Sequence, residues 1–302
     1  MDLMDSRIHA FATSGTTGTP VVWHRTADQI GAEAALLAAL CGASEAGVDG
    51  VVSFAPPRHL YGHLMGIAMP TTLNVPCRLV SLTAPLRWAF DALHRPLVAA
   101  LPAAIATLQH NLGVLRGLDE LVLVHGSAVL PPAARTLLDD LGGRARLVDL
   151  FGSTETGLVG YRRSEDAPWT PAPDVTLTAE PGSGRLIVHS PRIAARPGGP
   201  DRTSAVLEDV VSFAPDGTFR WLGRSSRLLK VNGRRLYLDQ VEAALRCQVP
   251  GAIARCQPAA DPRRGEWFDV HVSAAGPADL ADIERACRTL PAWQRPRTVR
   301  AA

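Results

Sequence analysis

Three polar stretches hold most of the chemistry that this 302-residue sequence can offer. Residues 13–20 read TSGTTGTP, which crowds hydroxyls and unhindered glycine amides into one loop near the start of the chain. Such a loop can wrap an oxyanion. It does not match the phosphate loop that ends in Gly-Lys-Ser/Thr, because Gly18 is followed by Thr19 and Pro20; on composition alone it also reads as a surface turn. Residues 150–157 read LFGSTETG. A glutamate there, Glu155, can take Mg²⁺ while a neighbouring hydroxyl meets phosphate, and Phe151 can stack on a purine. The plainer reading is a capped turn with Glu155 at a helix start. Residues 223–242, GRSSRLLKVNGRRLYLDQVE, read as a basic hairpin with a solvated face, and they contain Lys230, the one lysine of the chain. His59 and His63 have the i, i+4 spacing of a helical metal pair, with no third ligand in view.

These residues must be held by elements, and the sequence supplies them. Residues 7–15 read as a short strand entering the first loop, and residues 26–44 as a helix capped by Thr26 or Asp28. Buried strands are expected at residues 50–56, 76–82 and 97–101. Helices are expected at residues 59–74, at 87–96, and after the internal Pro102. Residues 118–142 read as strand, glycine loop, then a helix opened by Pro131 or Pro132; residues 144–157 read as a strand running into the second loop. This alternation implies a largely parallel sheet, with ligands beyond the carboxyl ends of its strands. After residue 160 the texture turns to Pro/Gly-rich connectors and short β candidates, including a hairpin around Asp216 and Gly217. From Gly223 onward two strands, a helix, a strand and a helix form a compact α+β unit. The expected fold is therefore α/β: a large domain (1–222) with a mainly parallel sheet and a β-rich subdomain, then a small α+β C-terminal domain (223–302).

Composition narrows the function. With 46% hydrophobic residues the chain can bury a real core, and a net charge of +2 gives no electrostatic case for nucleic acid or an anionic membrane. Five scattered cysteines without a CxxC pair fit a reduced, cytoplasmic protein. The acidic first residues lack the apolar core of a signal peptide, and no apolar run is long enough to span a bilayer.

In their order and spacing, TSGTTGTP, APPRHLYGH, HGSAVLPP, FGSTETG, LEDVVSF…DGTFRWLGR and GRSSRLLKVNGRRLYLDQVE resemble the adenylate-forming superfamily of acyl- and aryl-CoA synthetases, nonribosomal adenylation domains and luciferases. The resemblance runs from residue 10 to about residue 299. It implies that Thr13, Ser14, Gly15, Thr16, Thr17 and Gly18 hold the β- and γ-phosphates of ATP. Gly126, Ser127 and Ala128 would form one wall for adenine, with Phe151 and Gly152 on the other side. Thr154 would touch the α-phosphate, Glu155 the Mg²⁺, and His59 would sit near the acyl carbonyl. Asp209, helped by Arg224, would bind the ribose. The implied reaction has two halves: a carboxylate attacks MgATP to give acyl-AMP, then the thiol of coenzyme A or of carrier-protein phosphopantetheine takes the acyl group. Between the halves the small domain turns, and Lys230 lies on the face linked to the second.

The sequence also departs from this pattern. The long segment that usually precedes the Thr/Gly loop is absent, which suggests a minimal version or a homodimer or partner subunit covering that surface. The approach to the final "GK" motif is present at residues 290–302 without its lysine, and Val21 or Val22 replaces the lysine that often ends the phosphate loop. Ser226 stands where the hinge aspartate is usual. The expectation is an AMP-forming acid–thiol ligase with impaired adenylation, acting on an aryl or medium-sized acid. The alternative is a degenerate, nonenzymatic member that binds AMP or acyl-AMP or scaffolds a carrier protein.

Overall fold

The computed structural model describes residues 8–14, 20–43, 47–126, 130–131, 133–225, 228–231, 234–249, 252–261, 265–273 and 277–301. Two strands, β1 (Ile8–Ser14) and β2 (Pro20–Thr26), pair antiparallel from Ile8 opposite Thr26 to Ser14 opposite Pro20. Helix α1 (Ala27–Leu40) follows at once. Thr26 caps it with a reciprocal box, Gln29 N–H donating to Thr26 Oγ1 and Thr26 N–H to Gln29 Oε1, each at 3.1 Å. Of the two caps the sequence offered, Thr26 is used. No strand is expected from the sequence at β2, because a fully buried arginine, Arg25, shares the buried face with Trp23 and blurs the apolar pattern.

The main sheet begins with β3 (Gly50–Ser53), all of it buried. Helix α2 (Leu60–His63) runs through a π turn (Leu64–Ala68) into α3 (Met69–Leu73). The helix stops at Asn74, whose φ of +53° is left-handed. Strand β4 (Cys77–Leu79) comes next, then α4 (Leu86–Ala89). The helix expected over residues 87–96 is only this one turn. Ala92 has a φ of +56°, and the Asp49 carboxylate accepts the N–H groups of His94 and Arg95 at 2.6 and 3.0 Å, drawing the chain straight into the next strand.

That strand is β5 (Pro96–Ala100), followed by α5 (Pro102–His110), α6 (Leu112–Leu115), β6 (Leu121–His125), α7 (Ala133–Leu141), β7 (Ala145–Ser153), β8 (Gly157–Arg162) and β9 (Thr170–Pro171). The sheet order is β4-β3-β5-β6-β7-β8-β9. Pairing is parallel from β4 to β7 and antiparallel from β7 to β9. The entirely buried strands β5 and β6, apolar except for His125, are what a sheet covered on both faces requires. One face carries α5 and α7; the other carries α1 and the α2–α3 helix.

A four-stranded antiparallel sheet follows: β10 (Thr176–Ala179), β11 (Arg185–His189), β12 (Ser204–Phe213) and β13 (Phe219–Arg224). The expected turn at Asp216 and Gly217 joins the last two, with Gly217 at a φ of +82°. The remaining elements are a hairpin of β14 (Leu228–Val231) and β15 (Arg234–Tyr237), helix α8 (Leu238–Gln248), strands β16 (Ile253–Asp261) and β17 (Gly265–Ser273), helix α9 (Pro277–Thr289) and strand β18 (Val299–Ala301). Their buried side chains, from Leu229 to Leu290, form one core of their own around Trp267 and Phe268.

Candidate functional site

A cavity of about 500 Å³ lies beyond the carboxyl ends of β3, β5, β6 and β7. Its floor is apolar: Leu37 from α1, Leu64 from the π turn, Leu101 from the start of α5, and Leu150 and Leu158 from the sheet. Thr13, His59 and Thr154 line its polar side. Lys230, Arg234 and Trp293 close it from the C-terminal unit, with the Arg234 guanidinium 5.4 Å from the Trp293 ring.

The wall at Gly126 is built on Tyr61. The Tyr61 hydroxyl donates to Val124 O at 2.9 Å, tying α2 to the end of β6. Burial holds that phenol protonated, well above its usual range. A Cβ at Gly126 would sit 3.3 Å from the Tyr61 ring, so a bare backbone faces the cavity there. Opposite, Phe151 packs edge-on against Phe219 at 5.5 Å and tilted against Trp169 at 5.3 Å. The motif GSTETG is a hairpin rather than an open loop, since β7 runs through Ser153 and turns directly into β8. A Cβ at Gly152 would lie 2.1 Å from Gly157 O, which only glycine avoids. Ser153 and Thr156 bond side chain to side chain at 2.9 Å and close the turn.

His59 stands at the entrance of α2, and its ring faces the cavity beside Arg58 and Arg234. Partial burial lowers its pKa first, and the two guanidinium groups lower it further. His63 turns elsewhere: its ring meets those of His9 at 4.9 Å and Phe11 at 5.4 Å. Among the described residues no group of three His, Cys, Asp or Glu side chains is arranged as a metal cage. Asp209 and Arg224 are opposite positions in the backbone register of β12 and β13. Asp209 is buried, accepts the Trp221 indole N–H at 2.9 Å, and does not line the cavity. Ser14 pairs with Pro20 at the end of β1. Gly15, Thr16, Thr17, Gly18, Ser127 and Ala128 lie outside the described residues.

Two buried charge clusters beside the cavity escaped the sequence reading. In the first, Glu33 Oε2 pairs with Arg25 Nη1 at 2.9 Å, and Glu33 Oε1 accepts the Leu158 N–H at 2.6 Å. Arg192 reaches Asp174 with two hydrogen bonds of 2.7 and 2.8 Å, and its Nη1 lies 3.4 Å from Glu33 Oε1, an ion pair without hydrogen-bond geometry. The available signal was a glutamate on the buried stripe of α1, beside Ile30, Ala34 and Leu37. In the second, His125 Nδ1 lies 2.8 Å from Asp149 Oδ1, whose other oxygen pairs with Arg162 at 2.8 Å. Arg162 in turn lies over Trp169, 4.3 Å from the ring centre.

With this geometry in place the relatives can be set beside it. The chain belongs to the AMP-binding enzyme family, whose profile matches residues 10–188. It is 28% identical over 295 residues to a 4-coumarate–CoA ligase of Cereibacter sphaeroides, covering 95% of this chain and 65% of that ligase. An L-proline–[L-prolyl-carrier protein] ligase of Pseudomonas fluorescens is 29% identical over 167 residues, 47% of this chain and 33% of the relative. Among solved structures, a malonyl-CoA ligase with methylmalonyl-CoA and AMP bound superposes with a TM-score of 0.68 at 24% identity, covering 97% of this chain and 70% of that one. That likeness establishes the fold: an α/β body with a large, mostly parallel sheet and further β-rich parts. No helix among the described residues is long and apolar enough to cross a membrane.

Proposed function

We propose that the chain activates a carboxylic acid with ATP as an acyl adenylate and passes the acyl group to a thiol, that of coenzyme A or of carrier-protein phosphopantetheine. One observation carries the reading: a single cavity at the strand ends gathers Thr13, His59, Gly126, Phe151, Thr154 and Lys230, which are spread across the chain in separate motifs. Relatives named as ligases to coenzyme A and to a carrier protein support it.

In this reading adenine lies between the Gly126 backbone and Phe151 with Gly152. Thr154 binds the α-phosphate, and Thr13, Ser14 and residues 15–18 the outer phosphates. Asp209 with Arg224 takes the ribose. The leucine floor suits an aryl or medium-sized apolar acid, with its carboxylate toward His59. Arg58, Lys230 and Arg234 bring positive charge to the mouth, where both the acid and the nucleotide are anionic. Glu155, next to Thr154 in the turn between β7 and β8, would offer a hard oxygen donor, a residue type that fits Mg²⁺, which binds through one or two carboxylates together with substrate phosphates. When bound, that ion would neutralise phosphate charge. We place the boundary of the mobile unit near Gly223; its separate core and its Lys230 at the cavity support a unit that turns between the two half-reactions.

The test is incubation with ATP, Mg²⁺, a panel of aryl and aliphatic acids, coenzyme A and holo-carrier protein, read by mass spectrometry. Acyl-AMP and an acyl thioester that depend on one added acid are expected. Pyrophosphate release independent of any acid, or none at all, would sink the ligase reading. Nucleotide binding without turnover would mark a binding module instead.

A further inference from the structure

The turn at residues 154–158 is clamped from three sides, and little of the clamp lies within the turn. Arg25 donates to Thr154 O through Nε and Nη2, both at 3.3 Å. Ala194 N–H donates to Glu155 O at 2.8 Å. Glu33 Oε1 accepts the Leu158 N–H at 2.6 Å, and Arg192 Nη2 donates to Leu158 O at 2.8 Å. Arg25, Glu33 and Arg192 are each only 1% exposed. Segment 190–195 is itself stitched to the N-terminal elements: Gln29 Nε2 donates to Pro191 O and Ile193 O, and His24 and Ala195 exchange backbone hydrogen bonds at 2.9 and 3.0 Å.

We infer that Arg25, Glu33 and Arg192, with Asp174, form a positioning frame that fixes Thr154 and Glu155 for nucleotide and metal. Burial of Arg25, Glu33 and Arg192 is costly, and a plain hydrophobic filling would stabilise this site as well. What charged groups add is direction: each ends on a backbone atom of the turn, at a defined length, in a low-dielectric setting that strengthens the bond. The charges close among themselves, two guanidinium groups against two carboxylates. Gly157 records the tightness of the fit. Its φ is +69°, and a Cβ there would lie 2.4 Å from Glu33 Oε2 and 2.8 Å from Arg25 Nη2. The glycine that ends the motif is therefore set by the frame behind it as much as by any ligand in front. Arg25 also feels the Glu155 carboxylate, so it biases that side chain as well as the turn. The inference rests on the reading of Thr154 and Glu155 given above, and it adds the groups that hold them in place.

The test compares wild type with Glu33→Gln and with the double variant Arg25→Met/Glu33→Met. Glu33→Gln keeps an acceptor for Leu158 and removes the charge. The double variant removes the pair together, which spares a lone buried charge and tends to preserve stability. MgATP binding by calorimetry is expected to weaken by about tenfold or more in both variants, the loss typical of a charge-assisted hydrogen bond. The KM for the acid should stay near the wild-type value. Hydrogen exchange of the peptide spanning residues 153–158 should quicken in both variants while that of α7 does not. A double variant that regains wild-type MgATP affinity together with stability would overturn the inference, since the charges would then serve the fold alone. Wild type that binds no MgATP would instead sink the nucleotide reading, and the exchange of the turn would still decide whether the frame holds it.

Discussion

At the scale of single residues, the environment sets which groups can react. His59 sits below its ordinary pKa of 6.5 through partial burial and then through Arg58 and Arg234, so it is neutral at pH 7 and can accept a hydrogen bond. The folded protein therefore holds this proton less tightly than the unfolded chain does. Whatever stability the neutral ring contributes is present above pH 6.5 and is lost as the pH falls from there through the lower value of the folded protein. Arg58→Gln removes one of the two cations and should raise the His59 midpoint, as read by NMR of the imidazole; an unchanged or lower midpoint would contradict the assignment. The thiols divide in the same way. Burial pushes Cys41 up to about 12, and Cys77 and Cys287 to about 11, while Cys247 is exposed. At pH 8 a disulfide reagent should consume one fast thiol, and Cys247→Ser should abolish that phase.

Elements respond to what their neighbours leave room for. A methyl group at Gly152 meets Gly157 O at 2.1 Å, so Gly152→Ala must pry β7 from β8 and should destabilise by more than about 2 kcal/mol. Gly31, in the middle of α1, has nothing within 4 Å, and Gly31→Ala should stabilise by roughly 0.5–1 kcal/mol. Urea titration of the two variants should move the midpoints in opposite directions. The same contrast explains what the sequence disclosed. Strands β5 and β6 and helix α1 were legible because their apolar residues follow one period without interruption. Strand β16 was missed because Pro258 and Gln257 spoil its pattern, and it tolerates them as the edge of its sheet. The helix expected over residues 87–96 failed for a non-local reason: Asp49, forty-five residues before His94, ends it. At the cavity, the lining side chains of Thr13, His59 and Thr154 announced themselves by motif, whereas Arg25, Glu33 and Arg192 did not. Their partners are backbone atoms brought close only by the fold.

For the whole molecule, the decisive fact is that the cavity borrows walls from both ends of the chain, from Thr13 to Trp293. Any ligand filling it contacts the main body and the C-terminal core at once. Occupancy at about 100 times Kd adds roughly 2.7 kcal/mol to the bound form, and here that gain is shared between the two cores. Scanning calorimetry with AMP is expected to raise the unfolding of both together; a shift confined to one would mean the cavity has only one wall.

Lys230 gives this enclosure an unusual chemical address. Because it is the one lysine among 302 residues, the cavity carries the only side-chain amine in the protein. Apart from the α-amino group, an amine-directed dye has a single place to attach. Its emission would then report filling and opening of the cavity in real time, without an engineered label.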